Sequence, residues 1–143
     1  MRKIGFILLA ICSIGMACEK KEPSLANTKW KLVGTMDVET GVLTEPKPEN
    51  CADCYTLSFL TNDTLFVRTV KKGHLSIYEV DYKTNSFNLT YLFETLDNDT
   101  GIGGTYARLL RHIQSFSLQN KKKELWLYFN NKNNYLLFKK VDL

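Results

Sequence analysis

Two consecutive stretches decide the fold, "ELWLYF" at residues 124–129 and "NYLLFKKV" at 134–141. Both carry apolar side chains at a period of two, which suits a half-buried strand and not a helix. The four residues between them, Asn130-Asn131-Lys132-Asn133, are turn formers. Asparagine tolerates the left-handed backbone that tight hairpins demand. The pair therefore predicts an antiparallel hairpin.

The same pattern extends in both directions. "QSFSLQ" at 114–119 precedes the hairpin across the lysine-rich turn "KKK" at 121–123. Upstream stand "TKWKLVG" around Trp30, "YTLSFL" at 55–60, "TLFVRTV" at 64–70, "HLSIYEVDY" at 74–82 and "SFNLTYLFET" at 86–95. Eight short strands joined by Asn, Asp, Gly and Lys turns predict a mainly β fold, an antiparallel sheet or small barrel. The stretch "DVETGVLTEPKPEN" reads as a loop. One segment breaks the period. "GGTYARLLRHI" places Tyr106, Leu109, Leu110 and Ile113 at helical spacing, behind two glycines and a capping threonine. It predicts one short helix near residues 104–113, covering a barrel mouth or sheet edge. Trp30, Trp126, Phe59, Phe87, Phe116 and Phe138 are expected in the core.

The amino terminus has a different logic. Arg2 and Lys3 precede an apolar run, Ile4 to Ile14, and a cluster of mostly small residues ends at Cys18. That is the layout of a secretory leader. The run is shorter than the ~20 apolar residues that cross a bilayer. It stops at Glu19-Lys20-Lys21-Glu22. "GMAC" resembles the lipobox of bacterial lipoproteins, although Gly15 replaces the usual leucine. The resemblance implies cleavage before Cys18 and lipidation of its thiol. Cys12 follows the bulky Ile11 and fits less well. Residues 1–17 are then the signal peptide, 18–26 a lipidated tether and 27–143 a single β domain. Two or more acyl chains anchor stably without a transmembrane span.

Cleavage would leave 126 residues with 17 basic and 15 acidic side chains. So small an excess argues against nucleic acid as a partner, because phosphate binding needs a concentrated basic face. Outside the cytoplasm a disulfide is the expectation for Cys51 and Cys54 in "ENCADCYTLSF". A redox CxxC would start a helix beside a βαβ unit. Here a strand pattern follows. A zinc site would need two further ligands.

Other chemistry finds little support. Glu94, Asp97 and Asp99 lie in a glycine-rich loop, "ETLDNDTGIGG", but Ile102 and Arg108 stand where a calcium loop needs glycine and glutamate. No Gly-x-Ser-x-Gly elbow is present. Glu79 and Asp81 share a strand face, where two carboxylates are ordinarily solvated. His112 belongs near the carboxyl end of the predicted helix, against its dipole. No catalytic residue, metal or cofactor is assigned.

The order of motifs in the second half resembles the META-domain (HslJ-like) family: a leucine-bearing short helix, "SFSL", a lysine turn, "LWLYF", an asparagine turn and "YLLF". "NTKWKLV" and "CYTLSF" are similar to that family's first two strands, so the likeness spans about residues 27–140. The family's Gly-Cys-Asn stretch is absent, which marks this chain as divergent. The resemblance implies a compact antiparallel β fold in the cell envelope and no established catalytic residues. The expectation is a non-enzymatic, monomeric, lipid-anchored envelope protein that binds a protein or small molecule. The alternative is a lipocalin-like carrier with an apolar ligand inside the barrel.

Overall fold

The computed structural model describes residues 23–92 and 102–143. The leader, Cys18, and Glu94, Asp97 and Asp99 lie outside the described residues. Nine strands and one helix follow in chain order: β1 (Thr28–Asp37), β2 (Leu43–Thr44), β3 (Thr56–Phe59), β4 (Thr64–Arg68), β5 (Gly73–Asp81), β6 (Ser86–Leu92), α1 (Ile102–Arg111), β7 (Ser115–Gln119), β8 (Glu124–Phe129) and β9 (Asn134–Val141).

Neighbouring strands pair antiparallel in sequential order from β3 to β9. β1 closes the circle, pairing β3 on one side and β9 on the other. The result is a closed eight-stranded up-and-down barrel, the lipocalin type of closure, with β2 as an extra two-residue strand against β1. Closure removes the unpaired edges of an open sheet. The closing seam is long, from Lys29 opposite Val141 to Asp37 opposite Asn134. The weakest seam joins β6 to β7 through one residue pair, Ser86 and Ser115.

Local chemistry explains the path. Asn120, Lys121 and Lys122 have positive φ, as do Asn130, Asn131 and Lys132. These two hairpin turns match the right-handed twist of the strands they join. β1 carries a register shift between Leu32 and Gly34. A Cβ on Gly34 would lie 2.6 Å from the Thr44 carbonyl oxygen, so only glycine lets β2 approach.

Inward-facing residues of the eight barrel strands fill the interior. Leu57, Leu65, Val67, Leu125, Leu127 and Phe138 are fully buried. Phe59 packs edge-on to Tyr78 and Phe87, with ring centroids 4.9 and 6.3 Å apart. Five of the six aromatics expected in the core are there: Trp30, Phe59, Phe87, Phe116 and Phe138. Trp126 is not. It is half-buried on the outer wall, because Leu125 and Leu127 take the inward positions of β8.

Both ends are stoppered. The helix inserts Tyr106 and Leu110 at one end, where Tyr106 meets Tyr55 edge-on at 5.2 Å. At the other end Leu25 is fully buried. Its backbone N–H donates to the Tyr82 hydroxyl at 2.8 Å, and its carbonyl accepts from Thr28. The folded body therefore begins by Leu25, within the segment read as tether. Strand polarity puts the start of β1, the end of β9 and the β7–β8 turn at this tether end. The helix, the Cys51–Cys54 loop and the β8–β9 turn lie at the far end.

Candidate functional site

Among the described residues the barrel interior is filled by packed core side chains. A cavity of about 160 Å³ lies at the far mouth, between Leu32, Pro46, Tyr55, Tyr106, Leu109 and Leu136. Small-molecule sites usually start near ~300 Å³. The side chains that would have to move aside are the packed core itself.

The outer wall offers more. Trp126 and Tyr135 stack face to face, with ring centroids 4.5 Å apart and planes 10° apart. Tyr128 leans on Tyr135 at 5.4 Å. The cause is register: Tyr128 sits directly opposite Tyr135 across the β8–β9 pair, and Trp126 is its diagonal neighbour. The rings border a cleft of about 350 Å³ whose other walls are Met36, Val38 and Lys132. Val38 is 53% exposed and Val42, nearby on the β1–β2 connection, 57%. Such amphipathic rings supply apolar area with polar tips.

The polar atoms around the cleft are held in place. The Trp126 indole N–H donates to Glu124 Oε2 at 3.2 Å. Burial raises the Tyr128 phenol pKa, reinforced by nearby Tyr135 and opposed by a hydrogen bond with Ser117. Tyr135 shifts the same way through burial and then the Glu124 charge. Both phenols are neutral at physiological pH. Asp37, at the rim, accepts the Thr40 backbone N–H at 2.9 Å, the largest cause of its lowered pKa. The carboxylate fixes the turn that forms the cleft's wall.

Sequence reasoning assigned Trp126 to the core and so missed this site. Polar tips alone give no signal, because Trp30, Tyr55, Tyr78 and Tyr106 carry them inside the barrel.

The expected cysteine pair is brought together. The Cys51 and Cys54 sulfurs stand at disulfide distance with Cα atoms 5.4 Å apart, a span that a bridge fits. The Lys31 amine donates to both backbone carbonyls of the pair, at 2.6 Å to that of Cys51. Burial lowers the Lys31 pKa, opposed by the Asp53 charge. Glu79 and Asp81 point outward and are exposed. His112 follows α1 and is also exposed. Among the described residues no group of three His, Cys, Asp or Glu side chains could hold a metal ion. No described helix is long and apolar enough to cross a membrane.

Comparison with known proteins finds similar chains. A candidate lipoprotein of Tannerella forsythia is 28% identical over 142 residues, covering 95% of this chain and 92% of the relative. The two chains are similar over nearly their whole lengths. Two solved structures share the fold. A DUF4847-family protein from Bacteroides vulgatus superposes with a TM-score of 0.64 at 16% identity, over 82% of this chain and 96% of the other. A Burkholderia xenovorans protein gives 0.64 at 17%, over 83% and 85%. No family model matches the chain, so the META-domain likeness rests on the motif order alone.

Proposed function

We propose that the chain is a non-enzymatic, lipid-anchored envelope protein whose outer aromatic cleft is its binding surface. Residues 1–17 direct export and are removed, Cys18 carries the acyl chains, and Cys51 and Cys54 are bridged. The observation that carries the binding assignment is the placement of Trp126, Tyr128 and Tyr135 outside a barrel whose interior, among the described residues, is packed with core side chains. A filled core with an exposed apolar cleft suits an interaction module rather than a carrier. Aromatic anchors of this kind dominate binding energy at protein interfaces. The cleft lies at the far end, away from the tether, where a partner can reach it.

The test is site-specific photocrosslinking in intact cells. A crosslinker at Val38 or Lys132 should give a discrete adduct, absent when it is placed at Glu79 and lost when Trp126→Ala is combined with it. Equal labelling from Val38 and Glu79, or an adduct indifferent to Trp126, would refute the assignment.

A further inference from the structure

The end of the barrel nearest the tether carries a second cleft, and its lining is charged. Its volume is about 420 Å³, and Lys123, Glu124, Lys139, Lys140 and Asp142 form its walls. The β7–β8 turn and the end of β9 are joined there by the Lys140 N–H donating to the Lys123 carbonyl at 2.9 Å. Lys121 and Lys122 extend from the same turn, exposed, and Lys29 lies beside Val141 on the closing seam. Six lysines therefore face two carboxylates at this corner. Across the same end Lys83 accompanies Asp63 and Asp81, so the excess of positive charge persists.

Chain length decides what this corner meets. Leu25 is buried at the same end, and seven Cα–Cα steps, across six intervening residues, separate it from Cys18. Even fully extended, they reach about 25 Å. A coil of that length spans roughly 15 Å on average. A lipid-anchored Cys18 thus keeps the tether end of the barrel within about three Debye lengths of the bilayer, and about two on average, each ~8 Å at physiological salt. Anionic headgroups attract each lysine that comes near the surface.

We infer that the corner formed by Lys121, Lys122, Lys123, Lys139 and Lys140 docks on anionic phospholipid headgroups, their phosphates entering the cleft. The inference rests on the anchor at Cys18. Docking fixes the barrel upright, with the aromatic cleft turned away from the membrane. Acyl chains supply the affinity and the lysines supply the orientation.

The experiment uses the lipidated protein in vesicles of phosphatidylcholine alone, or of phosphatidylcholine and phosphatidylglycerol in equal parts. Flotation reads the anchor, and amine acylation followed by peptide mass spectrometry reads each lysine. Both vesicles should float the protein. On the anionic ones, labelling of Lys123, Lys139 and Lys140 should fall about tenfold while Lys47 and Lys71 at the far end stay unchanged. Raising salt to about 1 M, where the Debye length is ~3 Å, should restore it. In K123Q/K139Q/K140Q the protein should still float, and Lys121 and Lys122 should lose protection. Floating protein with equal labelling on both vesicles, or protection of Lys47 and Lys71 instead, overturns the docking. Protection by inorganic phosphate without vesicles overturns the lipid as its source. Failure to float removes the anchor and the inference together.

Discussion

The Trp126 indole lies flat against the Tyr135 ring, at a centroid distance of 4.5 Å, on the solvent side of the barrel wall. Trp30, the other tryptophan, is 2% exposed inside the barrel and donates its indole N–H to Thr28 Oγ1 at 2.7 Å. The two positions predict different losses. Trp30→Ala should cost about 3–5 kcal/mol, as buried aromatics do. Trp126→Ala gives up a stack worth about 0.5–1.5 kcal/mol beyond its modest burial. Urea unfolding of both variants checks this; equal losses would mean that Trp126 belongs to the core.

Two interior tyrosines separate a satisfied hydroxyl from an orphan. Tyr78 donates to the Thr61 carbonyl at 2.6 Å. Tyr106 Oη is buried and makes no hydrogen bond among the described residues. Tyr78→Phe should cost about 1 kcal/mol. Tyr106→Phe should be neutral or stabilising, since it removes an unpaired polar atom. Denaturant midpoints of the two variants should therefore move apart.

Alkaline stability follows from the same pair. Burial raises both phenol pKa values above the ordinary 10.0. Nearby Tyr82 adds to the shift at Tyr78, and Tyr55 at Tyr106. A raised folded pKa stabilises fully below the unfolded value and is lost as pH climbs through the folded one. Stability should hold to about pH 10 and fall above it. Phenolate absorbance should show these two of the seven tyrosines ionising only as the barrel opens.

The Cys51–Cys54 loop is short, so a bridge across it contributes only about 2 kcal/mol through chain entropy. Intact mass under non-reducing conditions should be two hydrogens below the dithiol mass. Reduction should lower the denaturant midpoint yet leave the barrel's circular dichroism unchanged. Unfolding on reduction would give the loop a larger role than its length allows.

Much of this architecture is legible in the residues, and the exceptions have causes. β8 and β9 run over 124–129 and 134–141, the bounds that alternation and asparagine turns imply. α1 ends at Arg111, two residues before the apolar stripe does, because Ile113 is buried beyond the helix. β1 continues past Gly34 to Asp37, since pairing with β9 overrides the loop-like sequence there. β2 is two residues beside Gly34 in a proline-rich stretch and has no periodicity to read. The site was harder. "ELWLYF" is apolar on both faces, and a period of two says that faces alternate without saying which is inside. Only the closure of the barrel on the leucine side sends Trp126 and Tyr128 outward. The lysine corner has no contiguous sequence signal, because Lys123 meets Lys139 and Lys140 only through strand pairing.

The central claim is an acylated Cys18 holding this barrel at the envelope, and the mass of the mature amino-terminal peptide from native membranes tests it most directly. The account predicts a peptide beginning at Cys18 and carrying diacylglycerol, with or without a further acyl group on its amine. A mature chain that retains residues 1–17, or one that begins beyond Cys18 with no lipid, would contradict it.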